Sequence, residues 1–293
     1  MVRELCLIGL LAAVCVADTG ARTTATERQA ADTDSGAQTD LLERFNGEFV
    51  AITPGQGQFP ATYVMGTGYG PWCEEPAHKV TLTAKFQMAR YEVPQNLYEA
   101  VMGHNPSQWK GPRNSVEKVA FADVVEFCRK ATVQMRARRL IAQTEEIRLP
   151  SEAEWEYCCR AGTTTPYSFG ESATGPKDTG NGASLLDSYA WHTGNAAGND
   201  PPVGAKQPNP WGLYDMHGYL WEFVSDGWHE TYAGAPSDGS SWAGSEPNAR
   251  RVIRGGSWKE RYECHRSGFR MPIAADGKSD AIGFRCVKAS VPK

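Results

Sequence analysis

The chain has 293 residues, of which 41% are hydrophobic, and it carries a formal net charge of −4. Without its N-terminal segment about 250 residues remain, which suits one large domain or two small ones. The basic residues are scattered, with only short clusters such as Arg136–Arg139. The composition therefore argues against a basic surface of the kind that binds nucleic acid.

Residues 1–17 have the pattern of a secretory signal peptide. Arg3 precedes an apolar run from Leu5 to Val16, and the small residue Ala17 suits a cleavage site. The run is too short for a comfortable membrane span, so we expect export to the cell envelope, the periplasm or the medium. An uncleaved signal-anchor and a lipoprotein at Cys15 are the alternatives, although the residue before Cys15 is bulkier than a lipoprotein signal normally accepts.

Residues 18–45 are rich in Thr, Ala, Asp, Ser and Gln. Such a segment lacks the apolar content to bury a core, so it is predicted to be a disordered linker. The folded domain is then predicted to span residues 46–293.

The first part of this domain has the pattern of short strands and a helix. Two strands around a Gly/Pro turn are predicted between Glu48 and Gly66, and the alternating stretch KVTLTAKFQMARYEV predicts a third. Pro94 fits the first position of a helix that Gly103 would end.

Two further helices are predicted with better-defined limits. FADVVEFCRKATVQMRARR has apolar residues at helical spacing and Asp123 in its first turn. In SEAEWEYCCRAG, Ser151 and Glu154 form a capping box and Gly162 a stop. Because Trp155 lies one turn from the Cys158–Cys159 pair, one of these two sulfurs is expected to face inward with the indole.

The sequence after Gly162 changes character. Seven of the nine tryptophans lie from Trp155 onward, among Gly, Pro, Asn and Ser and without a convincing long helix. Such a stretch must find backbone hydrogen-bond partners outside helices, and metal ions or disulfides are the usual supplements. The pattern predicts an α+β domain with a large irregular part.

Six cysteines remain after removal of the signal peptide, an even number that favours disulfides in an oxidising compartment. The sequence has no C-x-x-C pair and no H-E-x-x-H, so zinc is not expected. It also has no G-x-S-x-G elbow and no P-loop, which argues against a hydrolase or transferase. The six are Cys73, Cys128, Cys158, Cys159, Cys264 and Cys286.

Several segments together resemble the formylglycine-generating enzyme, or sulfatase-modifying factor, family, over Glu48 to Val287. The resemblance implies an irregular variant of the C-type lectin fold with little regular secondary structure. The segments are YVMG (63–66), YEAVMGHNPSQWKG (98–111), RLPSEAEWEYCCRAGT (148–163), PVGAKQPNPWGLYDMHGYLWEFVSD (202–226), RVIRGGSW (251–258) and IGFRC (282–286).

The resemblance implies an oxidase only conditionally. Active members of the family oxidise a cysteine in a C-x-P-x-R motif of a sulfatase to formylglycine, using oxygen and copper(I) held by two thiolates separated by four residues. Soft thiolates select copper(I). Around Cys264, however, the corresponding positions are Lys259 and Phe269, and no second thiol occurs between residues 255 and 281. Cys264 is thus either structural or a reactive thiol with a substituted ligand such as His265.

The family also implies two disulfides. The first would join Cys128 to Cys286, and the second would join Cys159, or its neighbour Cys158, to Cys264. Cys73 would then pair with the remaining cysteine or stay free.

A calcium site is implied as well, through a side-chain oxygen of Asp215, the carbonyls of Gly218 and Leu220, and the carboxylate of Glu222. Calcium takes such mixed oxygen ligands. Ser257 and Trp221 match residues that line the family's active pocket, although a loop hydroxyl and a core indole are the simpler interpretations.

Two functions follow as hypotheses. The first is an exported binding or scaffolding module that lacks the two-cysteine copper site; the alternative is a divergent oxygen-dependent oxidase of a sulfatase cysteine, in which Cys264 and Ser257 would be catalytic. Calcium is the expected cofactor, and copper only for the oxidase. The expected partner is an exported sulfatase or another protein or glycan, and the chain is expected to be a monomer without a membrane span.

Overall fold

A computed structural model of the protein describes residues 25–68, 70–198, 200–244 and 250–291. The predicted signal peptide and residues 18–24 lie outside these ranges. The helices are α1 (Ala25–Gly47), α2 (Gln95–Met102), α3 (Phe121–Ala137) and α4 (Glu152–Arg160). The strands are β1 (Phe49–Ile52), β2 (Thr62–Met65), β3 (His78–Thr81), β4 (Phe86–Ala89), β5 (Glu145–Arg148), β6 (Trp221–Gly227), β7 (Arg251–Arg254), β8 (Arg270–Ile273), β9 (Ile282–Gly283) and β10 (Val287–Ser290).

The strands form three small sheets. One is antiparallel, with the order β1-β4-β10-β5, and a second consists of β2 and β3 alone. The third has the order β8-β7-β6-β9, in which only β6 and β9 run parallel. Residues 161–220 contain one short 3₁₀ turn at Leu186–Ser188 and are otherwise irregular where described. The predicted α+β class with a large irregular part is confirmed.

Helix α4 begins as its sequence predicts. The Ser151 hydroxyl accepts the Glu154 N–H at 3.1 Å, and the Glu154 carboxylate accepts the Ser151 N–H at 2.9 Å, which completes the capping box. The helix ends where Ala161 and Gly162 both adopt left-handed backbone angles. Pro94, by contrast, lies just before α2 rather than in its first turn.

The prediction that only one sulfur of the cysteine pair faces inward is wrong. Cys158 and Cys159 are both fully buried, as is Trp155. The reason is that α4 has no solvent-exposed face: all nine of its residues are buried, so helical periodicity cannot separate an inner from an outer side.

The predicted disordered linker also needs correction. Residues 25–45 belong to α1, and the compact unit of the fold begins at Gln38. Within that unit Leu42 and Phe45 are 0% and 3% exposed and join the core around α3. The spacing of these two apolar residues, on one helical face, is the signal that the polar composition of the segment obscured.

The core has two main parts. One packs α2 and α3 against the first sheet and includes Tyr98, Phe127 and Phe284. The other surrounds α4 and includes Trp155 and Met216.

No helix in the described ranges is both long and apolar enough to cross a bilayer.

Candidate functional site

The loop before β6 is fixed by a buried ion pair. Arg285 donates two hydrogen bonds of 2.6 Å to the two carboxylate oxygens of Glu222, and the Trp155 indole N–H donates a third at 2.8 Å. Both charged side chains are completely buried. The Glu222 carboxylate is therefore occupied by protein donors on both oxygens.

Two further carboxylates lie close to this pair and are not fully partnered. Asp215 accepts the Gly204 N–H at 2.7 Å through Oδ2, whereas its buried Oδ1 has no partner. Glu92 accepts the Leu220 N–H at 3.1 Å through Oε1, and its buried Oε2 also has none. Burial raises the pKa of Asp215 to about 6, and burial together with the charges of Glu222 and Asp215 raises the pKa of Glu92.

This cluster of three carboxylates and one guanidinium has the donor chemistry that calcium requires. Two orphaned carboxylate oxygens, Asp215 Oδ1 and Glu92 Oε2, are hard ligands without protein partners. Across the described ranges, no three His, Cys, Asp or Glu side chains are grouped to hold a metal ion, so backbone carbonyls would have to complete the shell. The calcium site stays a prediction. Asp215 is its best-supported ligand, because both carboxylate oxygens of Glu222 already accept hydrogen bonds from Arg285.

A cleft of about 340 Å³ opens beside the loop that follows β7. The Trp109 and Trp258 indoles lie on its walls, and Trp109 is 46% exposed. The acidic residues Glu117, Asp200 and Asp280 also line it. The complete lining is Trp109, Ser115, Glu117, Ala196, Ala197, Gly198, Asp200, Tyr219, Leu220, Trp258 and Asp280.

Two polar atoms of the cleft have no protein partner. Glu117 accepts the backbone N–H groups of Gln108 and Trp109 through Oε1, which leaves its Oε2 unpaired. The Ser115 hydroxyl is also buried without a partner. Burial raises the pKa of Glu117. An unpaired carboxylate oxygen and a hydroxyl are thus available to a ligand in the cleft.

Ser257 lies behind this cleft rather than in its wall. Its side chain is fully buried and donates a hydrogen bond to the Glu260 carboxylate. Its neighbour Trp258 donates its backbone N–H to the Tyr219 carbonyl at 3.0 Å and does line the cleft. Trp221 is 5% exposed and packs near Phe269 in the core, which agrees with a core indole.

Cys264 does not line the cleft. Burial, followed by the nearby charges of Glu260 and Glu263, raises the pKa of its thiol to about 11. At neutral pH the free group is therefore protonated, and copper(I) binding or nucleophilic attack would first have to remove that proton.

Both ring nitrogens of His265 contact backbone carbonyls, so this side chain is not free to replace a missing thiolate. Its ring is fully buried, with Nδ1 2.9 Å from the Arg261 carbonyl and Nε2 3.2 Å from the Ser257 carbonyl. Burial lowers its pKa to about 4, so the ring is neutral. A neutral imidazole has one N–H and one nitrogen lone pair, so one nitrogen donates to a carbonyl and the lone pair of the other also faces a carbonyl rather than an open site.

The structure brings one of the two predicted cysteine pairs together. All six cysteines are present as thiols, and Cys128 Sγ lies 4.0 Å from Cys286 Sγ. Cys159 instead lies 3.6 Å from the Ser267 hydroxyl and contacts His217, whereas Cys264 packs on the other core cluster. The Cys128–Cys286 disulfide and the bridge from Cys159, or Cys158, to Cys264 both stay predictions.

A family profile described as "Sulfatase-modifying factor enzyme 1-like domain" matches residues 38–290. The chain belongs to this family. The match begins at residue 38, where the compact unit of the fold also begins, whereas residue 46 was predicted. The fold is the C-type-lectin-like fold that the resemblance implied.

Solved structures and curated sequences of this family agree with the assignment. PvdO from Pseudomonas aeruginosa is 30% identical, with a TM-score of 0.68 over 82% of this chain and 94% of its own. A chaperone protein, LppX of Paenibacillus barcinonensis, is 26% identical over 72% of this chain and 82% of its own length. The formylglycine-generating enzyme of Mycobacterium tuberculosis is 31% identical, but the match spans 59% of this chain and only 56% of the enzyme.

Sequence reasoning missed Glu92 and Glu117 as site residues of this family member. Glu92 lies more than a hundred residues before Asp215 in the sequence. Only one feature of the sequence points to it: its carboxylate lies just before Pro94, between two apolar segments, where burial of an unpaired charge is costly.

Proposed function

We propose that this member of the sulfatase-modifying factor family binds a peptide segment in the cleft at Trp109 and Trp258 and does not oxidise it. The observation that carries the proposal is the lining of the cleft, which contains indoles and carboxylates but no thiol. Because no second thiol lies near Cys264 in the sequence, between residues 255 and 281, this segment lacks the pair of thiolates that would hold copper(I). The raised pKa of Cys264 and the committed nitrogens of His265 support the same conclusion.

The charge of the cleft favours a cationic ligand group. Glu117, Asp200 and Asp280 line it. Among the described residues, the only basic side chain that forms an ion pair with them is Lys259, which binds Asp280. Asp200 is already held by the Tyr219 hydroxyl and by Asn114. Glu117 Oε2 is therefore the acceptor best placed to receive a guanidinium or ammonium group.

The indoles give the cleft a second means of recognition. Trp109 donates its ring N–H toward Asp280 at 3.4 Å, and Trp258 donates to the Asp280 carbonyl at 3.2 Å. These bonds orient two aromatic faces beside the acidic groups. Such a combination suits an arginine side chain, which stacks on aromatic rings as well as pairing with carboxylates.

The experiment uses a synthetic C-x-P-x-R peptide, because the relatives named formylglycine-generating enzymes include several that are 30–34% identical to this chain. Calorimetry should show that the peptide binds and that replacing its arginine by alanine weakens binding. Glu117→Gln should weaken binding about tenfold or more, the effect of one charge-assisted hydrogen bond, whereas Glu171→Gln on the surface should not.

The same peptide tests the alternative function, oxidation of a sulfatase cysteine. With copper(I) and oxygen present, mass spectrometry should show no aldehyde product, while the Mycobacterium tuberculosis enzyme run in parallel should form it. Aldehyde formed by this chain would overturn the proposal in favour of a divergent oxidase. Failure of the arginine-containing peptide to bind would overturn the binding function itself.

A further inference from the structure

A second cavity, of about 610 Å³, lies between β2, the loop that follows β2 and the segment after α4. It shares no lining residue with the cleft at Trp109. Its walls combine the rings of Tyr63 and Tyr157 with a run of glycines and the charged residues Glu74, Arg266 and Lys79. The volume is in the range of small-molecule sites.

Three lining side chains present buried polar atoms that have no partner within the protein. They are Glu74 Oε2, the Thr67 hydroxyl and the Tyr157 hydroxyl. Glu74 is 0% exposed, and its other oxygen, Oε1, accepts a hydrogen bond from Arg266. A buried carboxylate oxygen without a donor is costly, which points to a ligand group that supplies one.

Two glycines of the cavity wall lie against this oxygen. A Cβ atom at Gly70 would lie 2.1 Å from the Thr67 hydroxyl and 2.8 Å from Glu74 Oε2, and one at Gly268 would lie 3.1 Å from the same carboxylate oxygen. Any side chain at these positions would occupy the space in front of Glu74. The two unpartnered atoms of Thr67 and Glu74 thus lie near one position, the Cβ site of Gly70, that no described side chain occupies.

The charges around the cavity have both signs. Arg266, which binds Glu74, remains 23% exposed, and Lys79 lies exposed at the rim. Arg160 also lines the cavity, but its guanidinium is held by Glu156 and by the Gly66 carbonyl. One hydrogen-bond acceptor, Glu74 Oε2, and two cationic groups, those of Arg266 and Lys79, therefore line the same cavity. A ligand with adjacent positive and negative groups would pair with both kinds.

We propose that this cavity binds a small zwitterion of the α-amino acid kind. Its ammonium group donates to Glu74 Oε2 and the Thr67 hydroxyl, and its carboxylate is held by Arg266 and Lys79. An ammonium carries three donors and no acceptor, and a guanidinium pairs well with a carboxylate. The side chain of the ligand lies toward Tyr63 and Tyr157. This function is separate from peptide binding at Trp109.

The experiment is a thermal-shift and calorimetric screen of the mature protein against the twenty common L-amino acids. At least one should bind, and its N-acetyl and amide derivatives, which lack the ammonium and carboxylate charges respectively, should each bind at least tenfold more weakly. Glu74→Gln should weaken binding at least tenfold, whereas Glu171→Gln, an exposed acid outside both cavities, should have no effect.

A second variant keeps the proposal testable if Glu74→Gln does not fold. Lys79 is exposed, so Lys79→Met should fold normally and weaken binding of the amino acid severalfold, but not binding of its amide. Absence of binding by all twenty amino acids would overturn the proposal. Equal binding of the N-acetyl derivative would also overturn it, because an ammonium at Glu74 would then have no role.

Discussion

Arg285 holds both oxygens of the Glu222 carboxylate at 2.6 Å in a fully buried site, with the Trp155 indole as the third member. The three residues come from the segment between β9 and β10, from β6 and from α4. The group therefore ties together elements that lie far apart in the sequence. It also explains why the loop from Asp215 to Leu220 has a defined path despite its lack of regular structure.

Removal of one member of this pair should be strongly destabilising. Arg285→Ala leaves the Glu222 charge buried without its partner, and we expect a loss of about 3–5 kcal/mol in the free energy of unfolding. Urea denaturation of the purified protein measures it. The control is Arg250→Ala: its pair with Glu230 is exposed, with both side chains more than half accessible, and its loss should be below about 1 kcal/mol. Similar values for the two variants would contradict the role assigned to Arg285.

Calcium should stabilise the protein through Asp215. We expect the melting temperature to rise on addition of calcium and to fall with EDTA, because the cation would bind two buried carboxylate oxygens, Asp215 Oδ1 and Glu92 Oε2, that lack protein partners. Asp215→Asn should abolish most of the calcium-dependent rise, whereas Asp238→Asn, an exposed acid, should leave it unchanged. A calcium-independent melting temperature in the wild type would rule out this site.

The raised pKa of Asp215 predicts a pH dependence in EDTA. Its pKa is about 6 in the folded protein against about 3.9 in an unfolded chain, so the folded state holds the proton more tightly. The contribution of Asp215 to stability is then fully present below about pH 4 and is lost as the pH rises through 6. The difference in unfolding free energy between Asp215→Asn and wild type, followed from pH 4 to 7, should move in favour of the variant. A difference that is flat with pH would show that Asp215 does not titrate in this range.

The contact between Cys159 and Ser267 can be converted into a covalent bond. In the oxidised Ser267→Cys protein we expect a disulfide to Cys159, because the two side chains already lie 3.6 Å apart. It would close a loop of more than a hundred residues, for which the chain-entropy estimate gives about 4–5 kcal/mol. Non-reducing peptide mapping identifies the bond, and Ser267→Ala is the control. A wild-type map that joins Cys159 to Cys264 would show that the two segments lie closer than described here.

The elements with local signals could be predicted from the sequence. The capping box of α4, the periodicity of α3 and the Gly103 stop depend on residues within one or two turns of each other. The order of the strands, and the burial of α4 on every side, depend on distant segments and could not. The site residues divide in the same way into local and distant signals. Asp215 and Glu222 occur in one motif that can be recognised in the sequence. The roles of Glu92, Glu117 and Glu74 depend on segments that only folding brings together.

The central claim, that Cys264 forms no copper(I) site, is tested most directly by titration of the reduced protein with copper(I) against a competing chelator. We predict that wild type and Cys264→Ser retain the same amount of copper, because Cys264 is a lone thiol with a pKa of about 11 and His265 contacts two backbone carbonyls. Stoichiometric retention of copper(I) by the wild type, lost in Cys264→Ser, would contradict the claim.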